Sequence, residues 1–157
     1  MTRAAGRLLS GARSAFAGWA PVAAHATGAE LLEAVRPVLE RRCAAKEAET
    51  VARWHDALGQ NSKASAGWGP TVEAASDGRV NLLLYESRAN QALERCSACG
   101  RIQFVDGGCQ LDSAELERCD DGIDLVLHRT LEFGGTVLPV VQDGLADAGG
   151  IGALLRY

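Results

Sequence analysis

Between Leu31 and Leu58 the apolar residues Leu31, Val35, Val38, Leu39, Ala48, Val51, Ala52, Ala57 and Leu58 recur at helical spacing. Thr27 and Glu30 stand before them as a T-x-x-E capping box, so the pattern predicts one long helix that stops at Gly59. Pro37 has no amide for the carbonyl of residue 33, which predicts a kink near the helix start. Arg36 with Glu40, and Glu49 with Arg53, are spaced to pair on the wet face. Gly67 to Gly69, followed by Pro70, predicts a loop entering a short helix that ends at Ser76. Val80 to Tyr85 is apolar at nearly every position, the mark of a central strand covered on both faces. Ile123, Val126, Leu127, Thr130 and Leu131 trace another helix, stopped by Gly134-Gly135. Thr136 to Val141 is a strand whose Pro139 cannot donate to a ladder, which assigns it to an edge. The chain closes on Gly149-Gly150-Ile151-Gly152-Ala153-Leu154-Leu155-Arg156-Tyr157, a sharp turn feeding a terminal strand.

The order helix, helix, strand, insert, helix, strand, strand predicts an α/β fold, a three-layer α/β/α sandwich with a small mixed sheet. The domain is expected at 28–157, with an irregular cysteine-bearing insert at 87–112. Residues 1–27 are expected to be a poorly ordered N-terminal segment: they hold Arg3, Arg7 and Arg13, no acid, and many Ala, Gly and Ser. That composition fits an organelle transit peptide or an upstream Ala/Arg-rich segment. Trp54 falls at core spacing, whereas Trp68 in its glycine loop is either a lid over the core or an exposed contact. His128 follows Asp124 by four residues and is placed to pair with it on the helix surface.

At 157 residues the chain can bury a core of its own, and 47% hydrophobic with 23% charged residues describes a globular protein. Its apolar runs are too short to span a membrane. The net charge of −4 hides a division. Residues 1–102 carry 13 Lys/Arg against 10 Asp/Glu, a balance of +3, and residues 103–157 carry 3 against 10, a balance of −7. The acidic third repels a phosphate backbone and suits a basic protein partner, so RNA binding by this domain alone is not expected. Asp120, Asp121 and Asp124 are the candidate partner-binding residues.

Cys96-Ser97-Ala98-Cys99-Gly100 has the form of a zinc knuckle, with a glycine for the positive φ its turn needs. Cys109-Gln110-Leu111-Asp112-Ser113 repeats the spacing with Asp112 in place of a fourth thiolate and Ser113 in place of the glycine. Zinc is therefore the candidate cofactor, held by Cys96, Cys99, Cys109 and Asp112, with Cys119 as the alternative fourth ligand; the competing reading is a hairpin with free thiols. Asp112 and Glu115 also read as a second capping box. A redox role for Cys96 and Cys99 is disfavoured because the residues after Gly100 read as a strand, not as a helix whose dipole would lower a thiol pKa. Five cysteines without a secretory signal point to a reducing compartment.

Several separated pieces carry a family resemblance: Leu-Leu-Glu-Ala-Val-Arg-Pro-Val-Leu-Glu at 31–40, Gly-Arg-Val-x-x-Leu-Leu at 78–84, Cys-x-x-Cys-Gly at 96–100, the helix-Gly-Gly-strand unit at 123–141, and the closing Gly-Gly-Ile-Gly string. Together they resemble the C-terminal domain of the eukaryotic and archaeal class 1 peptide chain release factor and Pelota superfamily, closest to its bacterial members. The resemblance implies the fold shared with kink-turn-binding ribosomal proteins. It also implies a place after N-terminal and middle domains absent from this chain. Partners implied are ribosome-associated factors or a translational GTPase. The Gly-Gly-Gln tripeptide with which such release factors hydrolyse peptidyl-tRNA occurs nowhere here; Gly59-Gln60 follows Leu58. The expectation is a non-catalytic, cytoplasmic protein-interaction domain acting in translation termination, ribosome rescue or ribosome-associated quality control. The alternative is an RNA-binding module with a degenerate zinc ribbon.

Overall fold

The Thr27–Glu30 box closes as its chemistry requires. The Thr27 amide and hydroxyl donate to Glu30 Oε2 at 2.7 and 2.9 Å, and the Glu30 amide donates to Thr27 Oγ1 at 3.4 Å. Helix α1 follows, Gly28–Gly59, and it continues through Pro37. The computed structural model describes residues 16–60, 63–104, 108–141 and 144–157; the expectation of disorder at 1–15 lies outside them. The backbone divides into two units, residues 1–48 and 49–157. In the first, Gly18 lies against the buried Val38, while Leu31, Leu32 and Leu39 of α1 are exposed. Arg36 pairs with Glu33 at 3.1 Å rather than with Glu40, and no ion pair joins Glu49 to Arg53 among the described residues.

The second unit continues with β1 (Ala64–Ala66), α2 (Trp68–Ser76), β2 (Val80–Glu86), β3 (Leu93–Cys96), β4 (Ile102–Gln103), β5 (Leu116–Cys119), α3 (Gly122–Glu132), β6 (Thr136–Val140) and β7 (Ile151–Leu155). The main sheet has the order β1-β7-β2-β6. β6 runs parallel to β2, and β7 runs antiparallel to both β1 and β2. The sheet is thus mixed, as the sequence predicts. β2 lies inside it and shows why its residues are apolar on both faces. Leu83 packs with Trp68, Val72, Val126 and Ile151 under α2 and α3; Leu84 packs with Trp54, Val140 and Leu145 on the other face, beside Val51 and Leu58 of α1. Three layers result.

β7 is an interior strand, reached through Gly149 at φ 63° and Gly150 at φ 79°, left-handed conformations that favour glycine. β6 occupies the edge, where the missing amide of Pro139 costs nothing. Trp68 is a lid: it is buried, and its indole donates to the Gly149 carbonyl at 3.1 Å. α2 begins at Trp68 itself rather than after Pro70, since first-turn amides have no intrahelical acceptor and proline fits there. The three-residue β1 escaped the hydrophobic pattern, because Ala-Ser-Ala has no period to read.

The insert is more regular than the sequence suggests. β4-β3-β5 form a second, antiparallel sheet spanning Leu93 to Cys119. Ser76 at the end of α2 fastens its edge: the Ser76 hydroxyl donates to the Ile102 carbonyl at 2.7 Å and accepts from the Ile102 amide at 3.1 Å. Arg101 reaches Asp77 at 2.8 Å beside it.

Candidate metal centre

Two backbone turns of the same form, the first beginning at Cys96 at the end of β3, bring their side chains together. In the first, the Cys96 amide donates to the Arg101 carbonyl at 2.8 Å and the Gly100 amide donates to the Cys96 carbonyl at 3.0 Å. In the second, the Cys109 amide donates to the Ala114 carbonyl at 3.2 Å and the Ser113 amide donates to the Cys109 carbonyl at 2.9 Å. Gly100 takes φ 70°, and Ser113, in the glycine's place, takes φ 57°. The second knuckle has lost its glycine and its fourth thiol, yet it keeps the turn. Asp112 does not cap a helix, because the strand β5 follows; its Oδ1 accepts from the Ala114 amide at 3.0 Å, a two-residue side-chain turn that aims the carboxylate.

The two turns bring Cys96, Cys99, Cys109 and Asp112 together, with one ligand atom from each lying within 4.8 Å of all the others. Cys99 Sγ is 3.6 Å from Cys109 Sγ, and Cys96 Sγ is 3.5 Å from Asp112 Oδ1. A tetrahedral zinc with Zn–S near 2.3 Å and Zn–O near 2.0 Å separates two sulfurs by about 3.8 Å and a sulfur from an oxygen by about 3.5 Å. The donor set and its spacing therefore fit a small tetrahedral ion. Cys119 is not part of this group: its thiol donates to the Asp121 carbonyl at 3.6 Å. All five cysteines are free thiols.

Proton affinities at the cluster pull apart. The Cys99 amide, donating to Cys96 Sγ at 3.4 Å, lowers the Cys96 thiol despite desolvation. The Ala114 amide lowers the Asp112 carboxyl. For Cys99 the Arg101 amide acts downward, but the Cys96 sulfur, burial and Cys109 outweigh it and push the thiol up to about 11. A bound divalent cation would offset the repulsion among the thiolate and carboxylate ligands.

The three candidate partner-binding acids have different surroundings. Asp121 accepts from Asn90 Nδ2 at 3.2 Å, while the same amide group donates to the Asp120 carbonyl at 2.9 Å. Asn90 Oδ1 accepts from the Ile123 amide at 3.3 Å, so Asn90 closes the start of α3. Asp120 pairs with Arg118 at 3.2 Å, and Asp124 stands exposed in the first turn of α3. No ion pair joins His128 to Asp124 among the described residues; His128 lines a cleft of about 450 Å³ with Cys96, Cys99, Arg129 and Glu132. Asn90 was not visible to sequence reasoning, since a lone asparagine in a loop carries no periodic signal.

No family model matches the sequence, and no curated protein matches it at a significant level. Solved structures do match. The C-terminal domain of peptide chain release factor from Methanosarcina mazei superposes with a TM-score of 0.58 at 22% identity, over 85% of this chain and 98% of that one. An archaeal Pelota, from a model of ribosome-bound Pelota and ABCE1, gives 0.54 at 18% identity over 87% of this chain and 34% of its own. Dom34 of S. cerevisiae, described as a translation termination-like factor involved in RNA quality control pathways and interacting with Hbs1, gives 0.53 at 16% identity over 78% of this chain and 30% of its own. The fold is that of the C-terminal domain of release factor and Pelota, as the sequence resemblance implies. The chain spans about a third of the length of the Pelota and Dom34 chains it matches, 34% and 30%.

Proposed function

We propose that this chain is a non-catalytic protein-interaction domain of release-factor type, working in the cytoplasm in translation termination, ribosome rescue or ribosome-associated quality control. One observation carries the reading: 85% of the chain superposes on 98% of a release-factor C-terminal domain. The Pelota neighbour is ribosome-bound with ABCE1, and Dom34 interacts with Hbs1. By analogy the partner here is a ribosome-associated factor or a translational GTPase. Zinc at Cys96, Cys99, Cys109 and Asp112 would supply a rigid cross-link between the two turns, so that the second sheet presents a fixed surface. The acid-rich segment at Asp120 and Asp124 would meet basic groups on that partner.

Co-sedimentation of the full chain with ribosomes from its own cells tests this. Asp120→Lys with Asp124→Lys leaves the Asn90–Asp121 bond in place, and the double variant is expected to leave the ribosomal fraction while keeping its circular dichroism spectrum. Unchanged sedimentation overturns the acidic docking surface. Salt-dependent binding of naked RNA by the isolated chain, with a steep slope in log salt, would instead favour the RNA-binding alternative.

A further inference from the structure

On α1, Leu32, Val35, Leu39 and Cys43 recur at intervals of three, four and four residues, which places them along one side of the helix. With Arg36 and Glu40 they line a shallow cavity of about 360 Å³. Leu32 is 69% exposed and Leu39 50%. The chain covers a different side of the same helix: a Cβ on Gly18 would lie 3.0 Å from Val38 Cγ1, and Val38 is buried. Among the described residues this stripe is left open, and apolar positions at such spacing are those that form the seam of a helix pair.

The charges along α1 select the occupant. Residues 28–40 hold Glu30, Glu33, Arg36 and Glu40, a net −2, and residues 41–48 hold Arg41, Arg42, Lys46 and Glu47, a net +2. A second copy laid antiparallel sets the acidic half of each helix against the basic half of the other. Centred on the stripe, that arrangement brings Leu32 level with Cys43 and Arg36 level with Leu39 and Glu40 of its partner. A parallel pair would set the acidic half of each helix beside the acidic half of the other and the basic half beside the basic half, which repel. We infer that the Leu32, Val35, Leu39 and Cys43 face of α1 is a self-association surface, occupied by the same face of a second copy in antiparallel orientation.

Sedimentation equilibrium of the full 157-residue chain tests it. A dimer is expected, and Leu32→Glu with Leu39→Glu should raise its dissociation constant by more than about tenfold, since two apolar side chains of the seam are replaced by charges. Both residues lie outside the unit at 49–157, so its circular dichroism should survive. Orientation is read from disulfide cross-linking. At about 1.5 Å rise per residue, residues 32 and 43 of one helix lie about 16 Å apart, as do the two Cys43 of an antiparallel pair, too far for a disulfide. Leu32→Cys should therefore give a 32–43 cross-link between chains under mild oxidant, identified by peptide mass spectrometry, and the unaltered chain should give no 43–43 bond. A monomer at tens of micromolar overturns the inference (a monomer with a protected stripe points to residues 1–15 or another protein as the cover). A 43–43 cross-link, or a dimer untouched by the double glutamate variant, overturns it equally.

Discussion

Trp54 leaves no room for a side chain at residue 152. A Cβ built on Gly152 would sit 2.6 Å from Trp54 Cζ2 and 2.7 Å from Cε2, while the indole donates to the Ser65 carbonyl at 2.9 Å and is itself 2% exposed. Gly152 belongs to a paired interior strand, opposite Leu84 on β2 and Ala66 on β1, so the backbone cannot retreat. The third glycine of the closing string is thus a contact requirement between a helix and the sheet.

Gly152→Ala is expected to lower stability by about 1–3 kcal/mol, as overpacking of a filled core does. Trp54→Phe in the same chain should recover part of that loss by shrinking the ring, and urea denaturation of the two single variants and the double variant measures the coupling. Additive effects would show that the two residues do not share the space.

The cysteine cluster should bind one zinc per chain, counted by a chelating dye after thiol modification. Cys109→Ser should abolish the signal and Cys119→Ser should leave it intact. Removal of the ion by a strong chelator should lower the melting temperature of the protein. Because thiolates are the ligands and protons compete for them, zinc affinity should fall as pH falls, and Cys99, whose thiol is pushed up to about 11 without the ion, adds a released proton across the neutral range.

Asp112→Cys with Ser113→Gly rebuilds the second turn as a copy of the first. Ser113 already holds φ 57° and the hydrogen bonds of the turn match those around Cys96, so no backbone change is needed. Zinc affinity should rise, by about tenfold or more, measured by competition against a chelator of known strength. An affinity that falls would mean the carboxylate is aimed at the ion in a way a shorter thiolate cannot replace.

Asp77 anchors the second sheet through Arg101 at 2.8 Å and also pairs with Arg79 at 3.2 Å. Burial acts to raise its carboxyl, but the two guanidinium groups outweigh burial and hold it below its ordinary value. A depressed carboxyl stabilises the folded state above its unfolded pKa of about 3.9, and that stability is lost as pH falls through the lower folded value. Asp77→Asn should cost about 1 kcal/mol at pH 7, a modest figure because the pair is partly exposed, and the two stability curves should converge below roughly pH 3.

How much of this was legible beforehand follows from the range of each interaction. Helix α1 with its capping box, the two-faced β2, the edge position of β6 and the terminal strand β7 are written in local periodicity and turn chemistry, because each depends on neighbours within a few residues. The grouping of Cys96, Cys99, Cys109 and Asp112 was legible for the same reason. Two loops of identical spacing put their ligands at fixed local offsets, and only their mutual distance awaited the fold.

Other features depend on residues far apart in the chain, and no local signal encodes them. The strand at Ala64–Ala66 exists because β7 offers it a ladder, and the insert becomes a sheet because β5 returns to β3. Cys119 stands outside the cluster because of where β5 ends, and the capping reading of Asp112 failed because a strand follows it. Local sequence settles which residues can form helix, strand or turn, since those preferences act over a few bonds. Only tertiary packing settles which surfaces meet, since Trp54 and Gly152 stand 98 positions apart in the chain and their contact is decided by shape.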